Sequence, residues 1–189
     1  MGEIGRKAIH ILFGSLFIVS AVGLGGEYTF AITCAALIAG IIVSNLIAHG
    51  LEFPVFSLLV ELFERENERE MPGKGAIMFF AGAALLMFLA LFVFQSEKII
   101  APALAPLVFG DGIAAIAGKR WGKHTIANGK TAEGTLAGFI ASCLALALFL
   151  PSWTAVIAVS AAAMAAELLP VDDNFSMPVA AGIVLYIIF

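Results

Sequence analysis

The chain has 189 residues, of which 61% are hydrophobic and 13% are charged, and its mean hydropathy is +1.04. A soluble domain of this size needs far less apolar surface, so the composition excludes a soluble globular protein and indicates an integral membrane protein. The net charge of -4 says little, because the charges are segregated into a few connections. We predict an all-α, polytopic helical bundle with about seven transmembrane helices, forming a single integral membrane domain over residues 1–189.

Seven apolar runs carry this prediction, since a helix needs about 20 residues to cross roughly 30 Å of hydrocarbon. Five of the runs reach or approach that length. The last run is short, which makes a homodimer plausible as a way of supporting it. The runs are Lys7–Leu24, Tyr28–Ala48, Gly75–Phe94, Ile99–Gly118, Thr131–Leu150, Ser152–Leu169 and Phe175–Phe189.

The basic residues predict the orientation. Nine of the ten fall in connections on one side of the bundle, and Lys98 alone falls on the other side. The positive-inside rule therefore places the N-terminus in the cytoplasm and the C-terminus outside. The cytoplasmic side then carries an amphipathic and charged connection, residues 51–74, and a basic loop, residues 118–130. We expect an integral protein of the cell membrane, or of an ER-type membrane, whose active site faces the cytoplasm.

An aspartate, Asp111, lies in the fourth run between Gly110 and Gly112. A charge at membrane depth costs roughly 2.5–3.5 kcal/mol on insertion scales, so Asp111 is a functional-site candidate. The alternative is a frayed helix end in water. Pro102 and Pro106 are expected to break the helix just before it. Irregular backbone at this depth is tolerated only against protein or a water-filled cavity, so we predict a cavity near Asp111 that opens to the cytoplasm.

The basic loop ends where the fifth run begins, at Lys130-Thr131-Ala132-Glu133. Thr131 is suited to cap that helix, and Glu133 suits the positive end of the helix dipole. The loop is not a Walker P-loop, because its glycines and lysines lack that spacing. It is either an ordinary positive-inside loop or a phosphate-binding strip. Its cations are Lys119, Arg120, Lys123 and Lys130.

Two further carboxylates, Asp172 and Asp173, follow the sixth run. Mg²⁺ is typically held by one or two carboxylates together with substrate phosphates, and Asp111, Asp172 and Asp173 are a suitable set of oxygen ligands. The alternative is that Asp172 and Asp173 only cap the last helix.

Three more positions are candidates for the site. Lys74 lies between two glycines at the start of a span, where backbone N–H groups and the helix dipole favour an anion. His10 lies one turn into the first span and is expected to face the interior. Arg65 belongs to a charged segment that is either a solvated helix face or a source of a cation for the site.

Five blocks in collinear order resemble the polyprenol kinase family, which comprises dolichol kinases, phytol and farnesol kinases, and CTP-dependent diacylglycerol kinases. The blocks run from residue 6 to residue 178, nearly the whole chain. They are Arg6-Lys7-x-x-His10, Glu64-Arg65 with Pro72-Gly73-Lys74-Gly75, Gly110-Asp111-Gly112 with Gly118-Lys119-Arg120-Trp121-Gly122-Lys123, Gly129-Lys130-Thr131-x-Glu133-Gly134, and Glu167 with Asp172-Asp173-Asn174-Phe175-x-Met177-Pro178.

This resemblance implies transfer of a phosphoryl group from a nucleoside triphosphate, usually CTP, to the hydroxyl of a membrane lipid alcohol, with Mg²⁺ or another divalent cation. Asp111 would be a metal ligand or general base, Asp173 a metal ligand, and Lys130 the group holding the transferring phosphate; Glu133 is the fourth catalytic candidate. The division of roles among the carboxylates stays open. The nucleotide-binding candidates are Lys74, Gly118, Lys119, Arg120, Gly122, Lys123 and Lys130, and the other candidates are Arg6, Lys7, His10, Arg65 and Asn174.

Two alternative functions remain open. A CTP-dependent cytidylyltransferase that makes a CDP-lipid has a related architecture, but its C-terminal His-Gly-Gly and Asp-Arg-x-Asp motifs are absent from the chain. A non-enzymatic lipid transporter or scaffold would tolerate the loss of Asp111. The acceptor, whether polyprenol, another isoprenoid alcohol or diacylglycerol, and the donor, CTP or ATP, stay open. The partners we expect are therefore the lipid bilayer, a lipid alcohol and a nucleotide, and no nucleic acid.

Overall fold

The computed structural model describes residues 3–51 and 71–189, and within these ranges it contains seven helices and no β-strand. The predicted all-α class is therefore confirmed. Each predicted apolar run corresponds to one helix, although the ends differ by a few residues. The helices are α1 Glu3–Leu24, α2 Gly26–Ala48, α3 Lys74–Val93, α4 Glu97–Trp121, α5 Ala132–Leu146, α6 Trp153–Ala166 and α7 Asp173–Ile188.

Four of these helices, α1 to α4, are long and apolar enough to cross a membrane, whereas α5 to α7 are shorter apolar helices. The sequence had pointed to five runs of near-spanning length. The helix of the fifth run is shorter because it ends at Leu146. A turn at Ala147–Phe149 follows, before Pro151. Of the predicted connection 51–74, residues 52–70 lie outside the described residues, and Arg65 is one of them.

Helix α4 occupies the centre of the bundle. In its most apolar stretch 78% of the residues are buried, against 17% in α1 and 11% in α2. It packs against α1, α5 and α7. A helix that is apolar on all sides and surrounded by other helices is a core element, and its polar residues face protein rather than lipid. Asp111 lies on this helix.

The prolines of α4 do not break the helix. The α-helical stretch Ile100–Ala105 passes into a π-helical stretch, Pro106–Asp111, and α-helix resumes at Gly112. Pro106 has no N–H to donate, and a locally wider register accommodates it without ending the helix. The predicted interruption is thus a change of hydrogen-bond register. Asp111 is the last residue of the π-helical stretch.

Helices α4 and α5 approach each other closely through glycines. A Cβ atom on Gly138 would lie 2.8 Å from the Cβ of Ala114, and one on Gly134 would lie 2.7 Å from the Ala114 carbonyl oxygen. Small residues on facing helices permit this separation, which larger side chains would prevent. The packing brings the N-terminal end of α5 beside the end of α4.

Successive helices run in opposite directions, so α1, α3, α5 and α7 begin at one end of the bundle, where α2, α4 and α6 finish. We call this the site end. At the opposite end, Glu97 Oε2 accepts a hydrogen bond from the N–H of Gly26 at 3.0 Å, which joins the starts of α2 and α4. Side chains far apart in sequence can therefore meet at the site end.

Candidate functional site

Five charged side chains meet at the site end, and we call them the central cluster. They come from the start of α1, the middle of α4, the segment before α5, the residue after α6 and the start of α7. Four of them are site candidates predicted from the sequence, and Glu167 is not among those candidates. The members of the central cluster are Lys7, Asp111, Lys130, Glu167 and Asp173.

Asp111 is buried, with 3% of its surface exposed, and it lies between two ammonium groups. Lys7 Nζ donates to Asp111 Oδ2 at 2.5 Å, and Lys130 Nζ lies 3.8 Å from Oδ1. His10 Nε2 lies 4.0 Å from Oδ2 and 3.3 Å from the carbonyl oxygen of Leu107. Asp111 is therefore not at a frayed helix end in water. A buried carboxylate requires such partners, because an unpaired charge in the interior is very costly.

Lys130 stands among three carboxylates. Its Nζ donates to Asp173 Oδ2 at 2.7 Å and to Glu167 Oε1 at 2.9 Å, in addition to its 3.8 Å separation from Asp111. Burial alone would lower the pKa of Lys130, but the hydrogen bond and charge of Asp173, followed by the charges of Glu167 and Asp111, outweigh it and raise that pKa above the ordinary lysine value. Lys130 is therefore cationic at physiological pH.

Lys130 is held in place by a short hairpin. Asn128 and Gly129 both have positive φ, of 48° and 75°, and the N–H of Lys130 donates to the Ala127 carbonyl at 2.8 Å. A single antiparallel bridge joins Thr125 to Thr131. This is the type I′ geometry that Asn-Gly favours. The hairpin lies within residues 118–130, which are predicted above as a loop, although the Asn-Gly pair is a sequence signal for a hairpin turn.

Glu133 does not join the central cluster. Its Oε1 pairs with His124 Nδ1 at 2.6 Å, and its Oε2 accepts from the backbone N–H groups of Lys123 at 3.0 Å and His124 at 3.3 Å. The hydroxyl of Thr131 accepts from the N–H of Gly134 and caps α5, in the way predicted from its position. These contacts connect Glu133, in the first turn of α5, to the start of the hairpin, and its catalytic role stays a prediction.

Glu167 is a residue of the site that the sequence candidates do not include. It follows α6, it is 1% exposed, and its Oε1 accepts from Lys130. Its Oε2 is buried and has no hydrogen-bond partner among the described residues. The available signal was similar to the one that identified Asp111: Glu167 is a carboxylate within an apolar run, Ser152–Leu169, where a charge is costly.

Asp172 and Asp173 separate into different roles. Asp172 Oδ1 accepts from the backbone N–H of Asn174 at 3.0 Å and from its side-chain amide at 2.8 Å, so Asp172 caps α7. Asp173 belongs to the central cluster. Capping by both residues is the alternative predicted from the sequence, and the structure shows capping by the Asp172 side chain.

Two cavities adjoin the central cluster, and all five of its members line both of them together with Asn128. The first has a volume of about 450 Å³ and lies between the starts of α1, α3 and α7; it adds Arg6, His10, Lys74, Asp172 and Asn174. The second has a volume of about 390 Å³ and lies between α4, the hairpin and α5; it adds Ala114, Gly118, Lys119, Thr131 and Thr135.

The nucleotide-binding candidates are divided by this arrangement. Lys74 lines the first cavity, whereas Gly118 and Lys119 line the second. As formed by the described residues, neither cavity includes Arg120, Gly122 or Lys123. The Arg120 guanidinium lies 5.5 Å from the centre of the exposed Trp121 ring. Gly122 packs against Thr131, where an added Cβ would lie 2.7 Å from the threonine methyl.

The carboxylates of the central cluster suit a hard divalent cation. Within residues 3–51 and 71–189, no three His, Cys, Asp or Glu side chains stand close enough together to share a metal ion. Asp111 and Asp173 nevertheless both lie within 3.8 Å of one ammonium group, and beside them Glu167 has a buried oxygen without a hydrogen-bond partner in the described part of the chain. Mg²⁺ commonly uses only one or two carboxylates and takes its other ligands from water and phosphate, so this donor set fits it.

Comparison with known proteins returned several relatives over nearly the whole chain. A protein named phytol kinase 1, chloroplastic, from Arabidopsis thaliana is 30% identical over 207 residues, covering 99% of this chain and 67% of its own length. A probable chloroplastic phytol kinase from Triticum aestivum is 29% identical over 209 residues, covering 99% and 68%.

An archaeal relative matches a larger share of its own length. This uncharacterised protein of Methanocaldococcus jannaschii is 34% identical over 188 residues, covering 94% of this chain and 90% of its own. No family model matches the chain, and no solved structure does.

Proposed function

The chain belongs to the polyprenol and phytol kinase family, and on that premise we propose that it transfers the γ-phosphate of CTP to the hydroxyl group of a membrane lipid alcohol. At the level of the family, the named relatives support a lipid-alcohol kinase. The nucleotide, the acceptor and the place of the reaction in the membrane are our proposals. The acceptor class is an isoprenoid alcohol or diacylglycerol.

The observation that carries the proposal is the central cluster with a cavity on each side. Phosphoryl transfer requires little covalent chemistry from the protein, since positioning and neutralisation of charge supply most of the catalysis. Buried cations and carboxylates that two substrates approach from different sides meet this requirement. Both cavities also fall within the volume range of about 300–1,000 Å³ that is typical of small-molecule sites.

We place the nucleotide phosphates in the first cavity. Its wall holds Arg6, Lys7 and Lys74 in addition to Lys130, and α3 begins there at Lys74. Cations together with a helix N-terminus favour a polyphosphate. Lys130 lies where the two cavities meet, which suits the predicted contact with the transferring phosphate.

We place the acceptor hydroxyl in the second cavity. Its wall contains small residues of α4 and α5, including Ala114 and Ala115, and the hydroxyl of Thr135, which is buried and has no partner among the described residues. A lipid alcohol presents one hydrogen-bonding group on an apolar chain. The Thr135 hydroxyl, in a cavity wall between two apolar helices, is complementary to it.

In the proposed reaction the hydroxyl oxygen of the lipid forms a bond to the γ-phosphorus, and the bond from that phosphorus to the β–γ bridging oxygen breaks. The products are a lipid monophosphate and CDP. The hydroxyl proton passes to a carboxylate of the central cluster. The ammonium groups of Lys7 and Lys130 stabilise the negative charge of the phosphoryl group during its transfer from donor to acceptor.

Asp111 and Asp173 are the residues that would hold a divalent cation at this site. When bound, such a cation neutralises phosphate charge and orients the nucleotide. Asp172, the third metal ligand predicted from the sequence, caps α7 and stands at the edge of the first cavity. Asn174 lies beside it and would contact the nucleotide from the same edge.

We further propose that the chain forms one integral membrane domain with the site end facing the cytoplasm. Lys7, Lys74, Lys119, Arg120, Lys123 and Lys130 all lie at that end, which accords with the positive-inside rule. Cytoplasmic nucleotide would then reach the first cavity from water, while the lipid alcohol stays within the bilayer.

The test is phosphate transfer by the detergent-purified protein. γ-Labelled CTP and, separately, γ-labelled ATP are offered with Mg²⁺ against geranylgeraniol, phytol, a longer polyprenol and diacylglycerol. We expect label in a lipid product with CTP, and no label once the divalent cation is chelated. Preferential labelling from ATP would overturn the choice of donor.

The same preparation also tests the alternative functions. CTP and phosphatidic acid that yield a CDP-lipid and pyrophosphate, without any labelled lipid, would replace the kinase by a cytidylyltransferase. A folded preparation that catalyses neither reaction would favour a transporter or scaffold.

A further inference from the structure

Three carboxylates from three separate elements converge on a single ammonium group. Asp173 and Glu167 accept hydrogen bonds from Lys130 Nζ at 2.7 and 2.9 Å, and Asp111 lies 3.8 Å from the same nitrogen. Asp111 and Glu167 are almost wholly buried. An ion pair usually joins one cation to one carboxylate, whereas one cation among several carboxylate oxygens is the arrangement typical of a bound metal ion.

Glu167 gives the second indication. Its Oε2 is buried, yet it has no hydrogen-bond partner among the described residues, while its Oε1 already accepts from Lys130. The side chain lines both cavities. A buried carboxylate oxygen without a partner costs desolvation free energy, so the presence of Glu167 at this position requires an explanation. A divalent cation among these carboxylates would supply the missing partner.

Lys130 is well suited to leave this position. Its ammonium is a compact charge at the end of four flexible methylene groups. The residue follows the Asn128-Gly129 turn and lies at the end of the hairpin, which also contacts the turn after α6 through a 2.8 Å hydrogen bond from Asn128 Nδ2 to the Leu168 carbonyl. Lys130 can therefore change partners through its own side chain while the backbone of the hairpin stays attached.

We propose that Asp111, Glu167 and Asp173 form a divalent-cation site that the Lys130 ammonium fills in the nucleotide-free protein. Lys130 leaves this position when the metal–nucleotide complex binds, and it then contacts the transferring phosphate. The displacement of Lys130 by a nucleotide rests on the proposed function, whereas the cation site itself does not depend on that function. It adds Glu167 to the ligands predicted from the sequence and leaves Asp172 out. It also explains why, among the residues that the structure describes, no three ligands stand at metal-binding separation while Lys130 is between them.

The test measures Mn²⁺ binding to the full chain in detergent by electron paramagnetic resonance, without nucleotide or lipid. Lys130→Met removes the competing ammonium and should tighten Mn²⁺ binding at least about tenfold. Lys119→Met is the matched control, because it removes the same charge from the wall of the second cavity, where Lys119 has no ion pair with the central cluster among the described residues. It should change the affinity less than about threefold.

Two double variants identify the ligands. Adding Glu167→Gln to Lys130→Met should weaken Mn²⁺ binding by about 10- to 100-fold. Adding Asp172→Asn should leave it as tight as in Lys130→Met. A folded Lys130→Met protein that binds Mn²⁺ no more tightly than the parent overturns the proposal, and so does a Glu167→Gln change without effect.

A second measurement uses the parent protein, in case Lys130→Met does not fold. Rising Mn²⁺ should increase the acetylation rate of Lys130, followed by peptide mass spectrometry, at least about fivefold, because the amine leaves its carboxylates. Lys98, at the opposite end, is the internal control. An unchanged rate at Lys130 overturns the exchange. None of these measurements needs transfer activity, so a failure of the kinase proposal in the labelling assay is distinguishable from a failure here.

Discussion

Two groups of charged side chains flank the same short hairpin, and they differ in burial and in partners. The central cluster holds Lys130 among three carboxylates, of which Asp111 and Glu167 are buried. The second group, which we call the hairpin pair, consists of His124 and Glu133; the His124 side chain is 78% exposed, and Glu133 accepts from two backbone N–H groups as well.

This difference separates a structural role from a chemical one. The oxygens of Glu133 have partners within the hairpin, so its contacts account for its position without a substrate. The central cluster has three carboxylates and two lysines, and one buried oxygen of Glu167 finds no hydrogen-bond partner within residues 3–51 and 71–189. Groups that the folded protein leaves incompletely satisfied beside cavities are the better candidates for substrate chemistry.

The largest effect is expected for Asp111→Asn, which removes a charge from between Lys7 and Lys130. Phosphate transfer should fall by at least about 10²-fold, because the two ammonium groups lose the carboxylate that orients them. Transfer is measured with labelled nucleotide, and membrane insertion and folding are checked by thermal unfolding. Transfer within tenfold of the parent would contradict the proposed role of Asp111.

The control for Asp111→Asn is Glu97→Gln, the same loss of charge at the opposite end of the bundle. A glutamine oxygen can still accept from the N–H of Gly26. Transfer by this variant should match that of the parent. A comparable loss of transfer in both variants would show that removing a charge disrupts the whole fold. It would contradict a specific role for the site end.

The next effect is expected for Lys130→Ala. The KM for the nucleotide should rise by about 10- to 100-fold and the KM for the lipid by much less, because the ammonium contacts phosphate. Steady-state kinetics with each substrate varied in turn make the measurement. Lys98→Ala removes the same charge from the opposite end and should change neither constant. A rise confined to the lipid KM would contradict the phosphate contact.

A smaller effect is expected for Glu133→Gln. Transfer should fall by less than about tenfold, because the hairpin pair is exposed and its loss loosens the hairpin without removing a group of the central cluster. Initial rates at saturating substrates are the measurement. A loss as large as that of Asp111→Asn would restore the catalytic role predicted for Glu133 and would cancel the comparison between the two groups.

The smallest effect on the chemistry is expected for Gly138→Ala, which changes packing alone. The added methyl would lie 2.8 Å from the Cβ of Ala114, so the protein should lose about 1–3 kcal/mol of stability through overpacking. The apparent Tm in detergent should fall, while the preference for one nucleotide over the other stays the same. A changed nucleotide preference would mean that the contact of α4 and α5 shapes the site directly.

Hydrophobic runs and isolated charges are the features that could be predicted from the chain alone. The seven runs predict the seven helices because an apolar stretch must bury its backbone polar groups in helical hydrogen bonds. Asp111, Lys130 and Asp173 could be selected because charges beside apolar runs are costly and need a reason. The cap at Thr131 followed from its place before a helix.

The amino-acid sequence by itself thus determined the helical class, the family and most of the charged candidates, since these depend on local pattern. Only the tertiary structure decided which candidates meet. It brought Glu167 into the central cluster, moved Glu133 to the hairpin and gave Asp172 to the cap of α7. The physical reason is that a contact between residues more than a hundred positions apart, such as Lys7 with Asp111, depends on how whole helices pack, and no local pattern records that packing.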